Sequence, residues 1–250
     1  MLICNVAHMS TIGKLDKEYV ETDVLVIGSG IAGCFAAIQA AERGLNATLI
    51  SKSLIGKSGC SLIASNIAGP PMSSGAYLPI SERRKLAGKK VEEEKKEVSE
   101  EIIRRLSNWA GHGFAFLTDQ DWLVDASRWI EKYYFSWFEQ RGLYFRRLED
   151  GRIISNAGPA HRKVVWSSRM GQSGTQMMTL LRHIVFGTRR IRPIEECTAT
   201  KLLSKDGKVT GAIALGIRDG KLYVISAKAT ILCTGSTVKL CLRTTSTRET

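Results

Sequence analysis

The chain has 250 residues, 44% of them apolar and 24% charged, and its 36 basic and 24 acidic residues leave a net charge of +12. That balance describes an ordinary soluble globular protein of one large or two small domains. No run of about 18 apolar residues is present to span a membrane. The opening segment carries Lys14, Asp16, Lys17 and Glu18 and is not expected to act as a signal peptide.

The basic residues are spread along the chain without an RNA- or DNA-binding signature, so no nucleic-acid partner is expected. An excess of positive charge also attracts anionic small molecules. The cysteines at 4, 34, 60, 197, 233 and 241 form no C-x-x-C pair, and the histidines at 8, 112, 161 and 183 lie far apart. Zinc and iron–sulfur ligation within the chain are therefore not expected. Buried, inert thiols such as Cys34 and Cys233 fit a reducing, cytoplasmic compartment.

Residues 23–28, Asp-Val-Leu-Val-Ile-Gly, read as a buried parallel strand. The Ala-rich residues 31–43 read as a helix with Gly44 as its C-cap. Residues 47–50 supply a second strand and complete a βαβ unit. A loop-rich stretch at 53–79 follows, of the length that is usually functional or disordered. Residues 81–108 form a charged, helix-forming run, and 121–141 a helix bearing Trp122, Trp129, Tyr133, Trp137 and Phe138 as a packing stripe. Another helix is expected at 173–186, where Ser173 can act as N-cap. Strands at 197–204, 208–215 and 221–226 are joined across Asp206-Gly207 and Asp219-Gly220, and a separate buried strand is expected at 229–233.

Gly28-Ser29-Gly30-Ile31-Ala32-Gly33 is a G-x-G-x-x-G turn between a strand and a helix, the context that gives the pattern meaning. Gly28 permits the tight turn, Gly30 lets a pyrophosphate approach the backbone, and Gly33 lets the helix pack on the strand. The first-turn N–H groups and the helix dipole then face the phosphates. The acidic residue expected about 20 positions on, for a ribose, is missing. No Asp or Glu occurs between Glu42 and Glu82, and the second strand ends in Ser51-Lys52. Ser51 offers a ribose one hydrogen bond. Lys52 offers a cation, which in an NAD(P)-binding protein would meet a 2′-phosphate.

The glycine turn, Ser51-Lys52, the loop Ser58-Gly59-Cys60-Ser61-Leu62-Ile63-Ala64-Ser65-Asn66 and the segment Ile231-Leu232-Cys233-Thr234-Gly235 together resemble the succinate dehydrogenase/fumarate reductase flavoprotein family, which includes L-aspartate oxidase. The resemblance runs over residues 21–245. It implies an α/β fold: a Rossmann-like FAD-binding domain over 21–250 with a parallel sheet, an antiparallel β-meander and a helical insertion at 81–145. Residues 1–20 stand as an N-terminal extension, and the chain is expected to stop short of the family's capping domain. FAD contacts are implied at Gly28, Ser29, Gly30, Ile31, Ala32, Gly33, Ser51, Lys52, Ser58, Gly59, Cys60, Ser61, Ala64, Ser65, Asn66, Thr198, Ala199, Thr234 and Gly235.

Members with covalent flavin carry a histidine in the loop after the second strand; Gly59 and Cys60 stand there, which implies non-covalent FAD. The usual Gln-Gly-Gly of that loop is replaced by Ser65-Asn66-Ile67. The implied chemistry is hydride transfer between flavin and a dicarboxylate, and the implied electron partner is an iron–sulfur subunit. L-aspartate oxidation and a non-catalytic FAD-binding remnant are the alternatives. The family's catalytic residues have no counterpart to carry onto this chain. His161-Arg162, in a loop, reads as a surface pair rather than a substrate contact.

Overall fold

A computed structural model describes residues 16–64, 67–68, 119, 122, 133–145, 155–157, 163–165 and 173–236. In chain order the elements are β1 (Lys17–Ile27), α1 (Ile31–Glu42), β2 (Ala47–Ile50), α2 (Cys60–Ile63), β3 (Ile67–Ala68), α3 (Phe135–Glu139), β4 (Ser155–Ala157), β5 (Lys163–Val165), α4 (Ser173–Gly187), β6 (Ile191–Ile194), β7 (Cys197–Lys205), β8 (Lys208–Gly216) and β9 (Leu222–Leu232). The chain divides into two units, one of residues 1–62 and 181–250, the other of residues 63–180.

The first unit holds a six-stranded sheet in the order β6-β2-β1-β9-β8-β7. β6, β2, β1 and β9 run parallel, while β8 and β7 complete an antiparallel meander on β9. The run Val24-Leu25-Val26-Ile27 is buried throughout, as is all of β2. A strand covered on both faces needs such an unbroken apolar run. Leu25, Ile27, Ile50 and Ile194 join Val20, Ala212, Ala214, Tyr223, Ile225 and Ala227 in one apolar cluster. α1 packs against β1, β2, β6 and β9 through small residues, with Cys34, Ala37 and Ile38 at its buried centre. Each fully buried Leu, Ile or Val contributes about 1.5–3 kcal/mol relative to exposure. α1 ends where expected: Arg43 and Gly44 donate their N–H groups to the carbonyls of Ala40 and Ala41, and Gly44 has φ +83°.

Three expectations about the sheet are corrected. β1 begins at Lys17, so residues set apart as an extension belong to the sheet, where Lys17–Val20 pair with Leu222–Ile225. The strands expected at 221–226 and 229–233 are one, β9, because β1 offers it a partner along its whole length. Its far end is not buried: Ile231 is 38% exposed and Leu232 60%. β6 has no counterpart among the expected strands. Its Pro193 cannot donate to a ladder, which is tolerable because β6 is an edge strand.

The β7–β8 hairpin turns as expected. Asp206 and Gly207 both have positive φ, 52° and 75°, the signature of a type I′ turn. The next connection is longer than a two-residue hairpin, since Gly216 donates to the Lys221 carbonyl around Ile217–Gly220.

In the second unit, β3, β5 and β4 form a small antiparallel sheet. The aromatic stripe is divided there. Phe138 is fully buried, edge-on to Tyr134 and Trp137 at centroid distances of 4.9 and 5.0 Å, whereas Trp122 and Tyr133 are exposed. The expected helical insertion at 81–145 is described only at Asp119, Trp122 and 133–145, and Trp129 lies outside the described residues. α4 begins at Ser173 as expected, and Ser173 is buried.

Candidate functional site

The G-x-G-x-x-G turn connects the C-terminal end of β1 to α1, at the centre of the parallel strands. Its ends are fixed by the sheet: Gly28 N–H donates to Ile50 O at 2.9 Å, and Cys233 N–H to Ile27 O at 2.7 Å. Gly28 has φ +104°, and a Cβ on it would lie 2.2 Å from the Cys233 carbonyl oxygen. A Cβ on Gly33 would lie 1.8 Å from the Gly28 carbonyl oxygen. Both positions therefore admit glycine only, for backbone conformation in one case and close packing in the other.

α1 opens without an acidic residue in its first turn, and its N-cap Gly30 makes no side-chain cap bond. The positive end of the helix dipole is thus met by no acidic side chain of the helix's own first turn. One first-turn donor, Ile31 N–H, reaches Ser61 Oγ at 3.1 Å. Ser61 Oγ also lies 3.2 Å from where a Gly30 Cβ would stand. The loop after β2 therefore returns to the glycine turn and places a hydroxyl on it.

Ser29 and Ser51 join their hydroxyls at 2.5 Å, and Ser51 is buried. The Ser51 backbone is gripped at both its N–H and its carbonyl, donating to Ile194 O at 2.9 Å and accepting from Cys197 N–H at 2.8 Å. That grip brings the start of β7, with Thr198 and Ala199, to the end of β2. Lys52 is exposed. Ser53 and Ser58 hydrogen-bond through their hydroxyls, and Gly56 and Gly59 take positive φ values of 69° and 81°. Thr234 and Gly235 follow Cys233 beside Gly28, with Gly235 at φ +91°. Cys60 is exposed, at the head of α2, and Ala64 accepts from Gly174 N–H at 2.8 Å within the second unit. Ser65 and Asn66, and His161-Arg162, lie outside the described residues.

Burial disfavours the thiolate at three cysteines near the turn. Burial pushes Cys34 up to about 12, with neighbouring Cys233 adding to the shift, and its Sγ donates to Ser29 O at 3.2 Å. Burial raises Cys233 as well, though it is only half-buried, and holds Cys197 at about 11 with Asp219 adding to the shift. No group of three or more metal-ligating side chains occurs among the described residues. No helix among them is long and apolar enough to cross a membrane.

Sequence reasoning missed two side chains in this region. Glu195, in the turn after β6, accepts from Ile55 N–H at 2.7 Å, and Arg182 of α4 donates to Ile55 O and to Glu195, both at 2.5 Å. The only trace in the sequence is the acidic pair Glu195-Glu196 closing a short apolar strand.

A parallel sheet whose first crossover carries this turn defines a dinucleotide-binding α/β domain. Comparison with known proteins narrows the class. The family described as FAD dependent oxidoreductase (DAO) matches residues 23–248, and the chain belongs to it; its cofactor is FAD. The chain is 30% identical over 230 residues to a fumarate reductase (CoM/CoB) subunit of Methanothermobacter marburgensis, covering 88% of this chain and 36% of that one. It is 26% identical over 241 residues to a mitochondrial succinate dehydrogenase flavoprotein subunit of Xenopus laevis, covering 86% and 30%. The chain thus spans about a third of these relatives' length. Among solved structures, the Mycobacterium smegmatis Sdh1 complex matches with a TM-score of 0.72 at 22% identity, over 93% of this chain and 37% of that one. E. coli quinol fumarate reductase FrdA matches with 0.73 at 19% identity, over 93% and 35%. These two share the fold.

Proposed function

We propose that this chain is the FAD-binding part of an oxidoreductase of the succinate dehydrogenase/fumarate reductase type, acting on a dicarboxylate. The observation that carries the reading is the turn itself: Gly28 and Gly33 occupy positions a Cβ would fill, before an α1 N-terminus that has no acidic side chain of its own. In this reading the backbone of Gly28–Gly33 holds the pyrophosphate, and Ser51 and Lys52 lie toward the adenosine ribose. Thr198 and Ala199 line the adenosine, while Ser58, Gly59, Cys60, Ser61, Thr234 and Gly235 lie along the rest of the cofactor. Bound FAD supplies hydride acceptance and donation; the protein orients it and shields it from water.

Attachment is non-covalent in this proposal, because no histidine occurs between His8 and His112. Acid precipitation should therefore release all flavin to the supernatant, and flavin remaining with the pellet contradicts it. The dicarboxylate, the iron–sulfur electron partner and the cytoplasmic location rest on likeness to the flavoprotein subunits and on cysteine usage. Purified protein should be yellow and absorb near 450 nm as flavins do; fumarate reduction with a reduced dye as donor separates an enzyme from a non-catalytic FAD-binding remnant, and little or no turnover is expected of this chain alone. Colourless protein that takes up no added FAD sinks the cofactor assignment. Flavin-loaded protein that leaves fumarate untouched and oxidises L-aspartate replaces the substrate.

A further inference from the structure

We propose that Arg182 and Glu195 form a clamp on the Ile55 peptide groups that sets how tightly the cofactor is held; the inference rests on the FAD-binding reading above. Ile55 is fully buried. Its N–H donates to Glu195 Oε1, and its carbonyl accepts from Arg182 Nη1. The two side chains also pair with each other. One ion pair thus satisfies both backbone groups of a buried residue in the middle of a loop. A buried peptide group deprived of its partner is costly, so the loop is held wherever the pair holds Ile55.

The position of the clamp gives it a consequence for the site. Ile55 lies between the two points at which the loop meets the glycine turn, Ser51 on Ser29 and Ser61 on Ile31 N–H. The same β6–β7 turn that supplies Glu195 also grips the Ser51 backbone, through Ile194 and Cys197. Residues 194–197 therefore fix the start of the loop and its midpoint together. The Arg182 guanidinium is steadied over the Phe186 ring at 4.4 Å. None of these side chains needs to touch FAD; they are positioning residues for those that do.

The test is FAD titration of the purified chain, followed by quenching of flavin fluorescence, for wild type, Glu195→Ala, Glu195→Gln, Arg182→Met and Arg182→Lys. Glu195→Ala and Arg182→Met should each raise Kd about tenfold or more, the scale of one charge-assisted hydrogen bond. Glu195→Gln should recover most of the affinity, because its amide oxygen can still accept from Ile55 N–H. Arg182→Lys should recover less, since a lysine lacks the guanidinium fork. Combining Glu195→Ala with Arg182→Met should add little, as the two side chains pair with each other and hold the backbone of one residue. Trypsin supplies a readout that does not depend on the cofactor: cleavage after Lys57 in the apo protein should quicken in Glu195→Ala. Unchanged Kd values beside a wild type that binds FAD overturn the clamp alone. A wild type that binds no FAD overturns the functional reading and this inference with it. The Gln and Lys variants keep the test decisive where the larger truncations fail to fold.

Discussion

A methyl group on Gly33 has nowhere to go, since its position 1.8 Å from the Gly28 carbonyl is far inside van der Waals contact. The atom in the way is backbone and cannot rotate aside, so α1 must lift from the turn. Gly33→Ala should cost about 1–3 kcal/mol, the usual range for overpacking, and abolish FAD uptake. Urea unfolding and flavin titration check it, and an unchanged midpoint would show that α1 can shift freely. Ser51 makes a different demand. Its buried hydroxyl is shared with the half-buried Ser29, so Ser51→Ala strands the Ser29 hydroxyl. A loss of about 1 kcal/mol in stability is expected from the hydrogen bond alone. A ribose contact is read separately, as weaker FAD binding in Ser51→Ala than in Ser29→Ala.

At the level of elements, the sheet is tied across β1, β2 and β9 by Asp23. Its carboxylate accepts from Lys228 Nζ at 2.7 Å and from Asn46 N–H at 2.9 Å, and these hold its pKa below the ordinary carboxylate range, the lysine bond first. A carboxyl with a depressed folded pKa stabilises above its unfolded pKa and loses that contribution as pH falls through the folded value. Lys228 is raised by the same pair, so its share is present below its unfolded pKa and lost as pH rises through the folded one. Asp23→Asn should therefore flatten the stability–pH curve below about pH 4 and above about pH 10 and leave the slope at neutrality alone. Thermal melts across pH decide it.

The pair also explains what the sequence concealed. The break expected at 227–228 is absent: Lys228 sits on the exposed face of β9 with Ser226, while Ala227 points to the core. Strands with strong local signals were legible: the apolar run of β1, the Asp-Gly turn of β7–β8 and the glycine turn. β6 was not, because its four residues include a proline and its identity comes from pairing with β2. Arg182 and Glu195 were illegible for the same reason, since they meet Ile55 only after the sheet has formed. Ser29, Ile31, Ser51 and Ser61 stood out in the sequence as cofactor candidates, but the hydrogen bonds that join them did not.

Across the whole molecule, the net charge of +12 bears on how an anionic cofactor arrives. Cations on the surface raise encounter rates only within reach of the site, because the Debye length is about 8 Å at physiological ionic strength. Lys52 stands at the end of β2, next to Ser51, and is exposed. Lys205 ends β7, whose first residue is bonded to Ser51. Eight steps of strand place it about 26 Å away, more than three such lengths. The two substitutions Lys52→Glu and Lys205→Glu change the total charge equally. If the field near the turn governs association, Lys52→Glu should slow FAD binding several-fold at about 0.15 M salt. Lys205→Glu should match wild type there and depart from it only near 0.01 M, where the Debye length grows to about 30 Å. Stopped-flow fluorescence at both ionic strengths measures this. Equal slowing by both variants at the higher salt would mean that the summed charge steers the cofactor; no slowing by either would leave the α1 amides to capture it unaided.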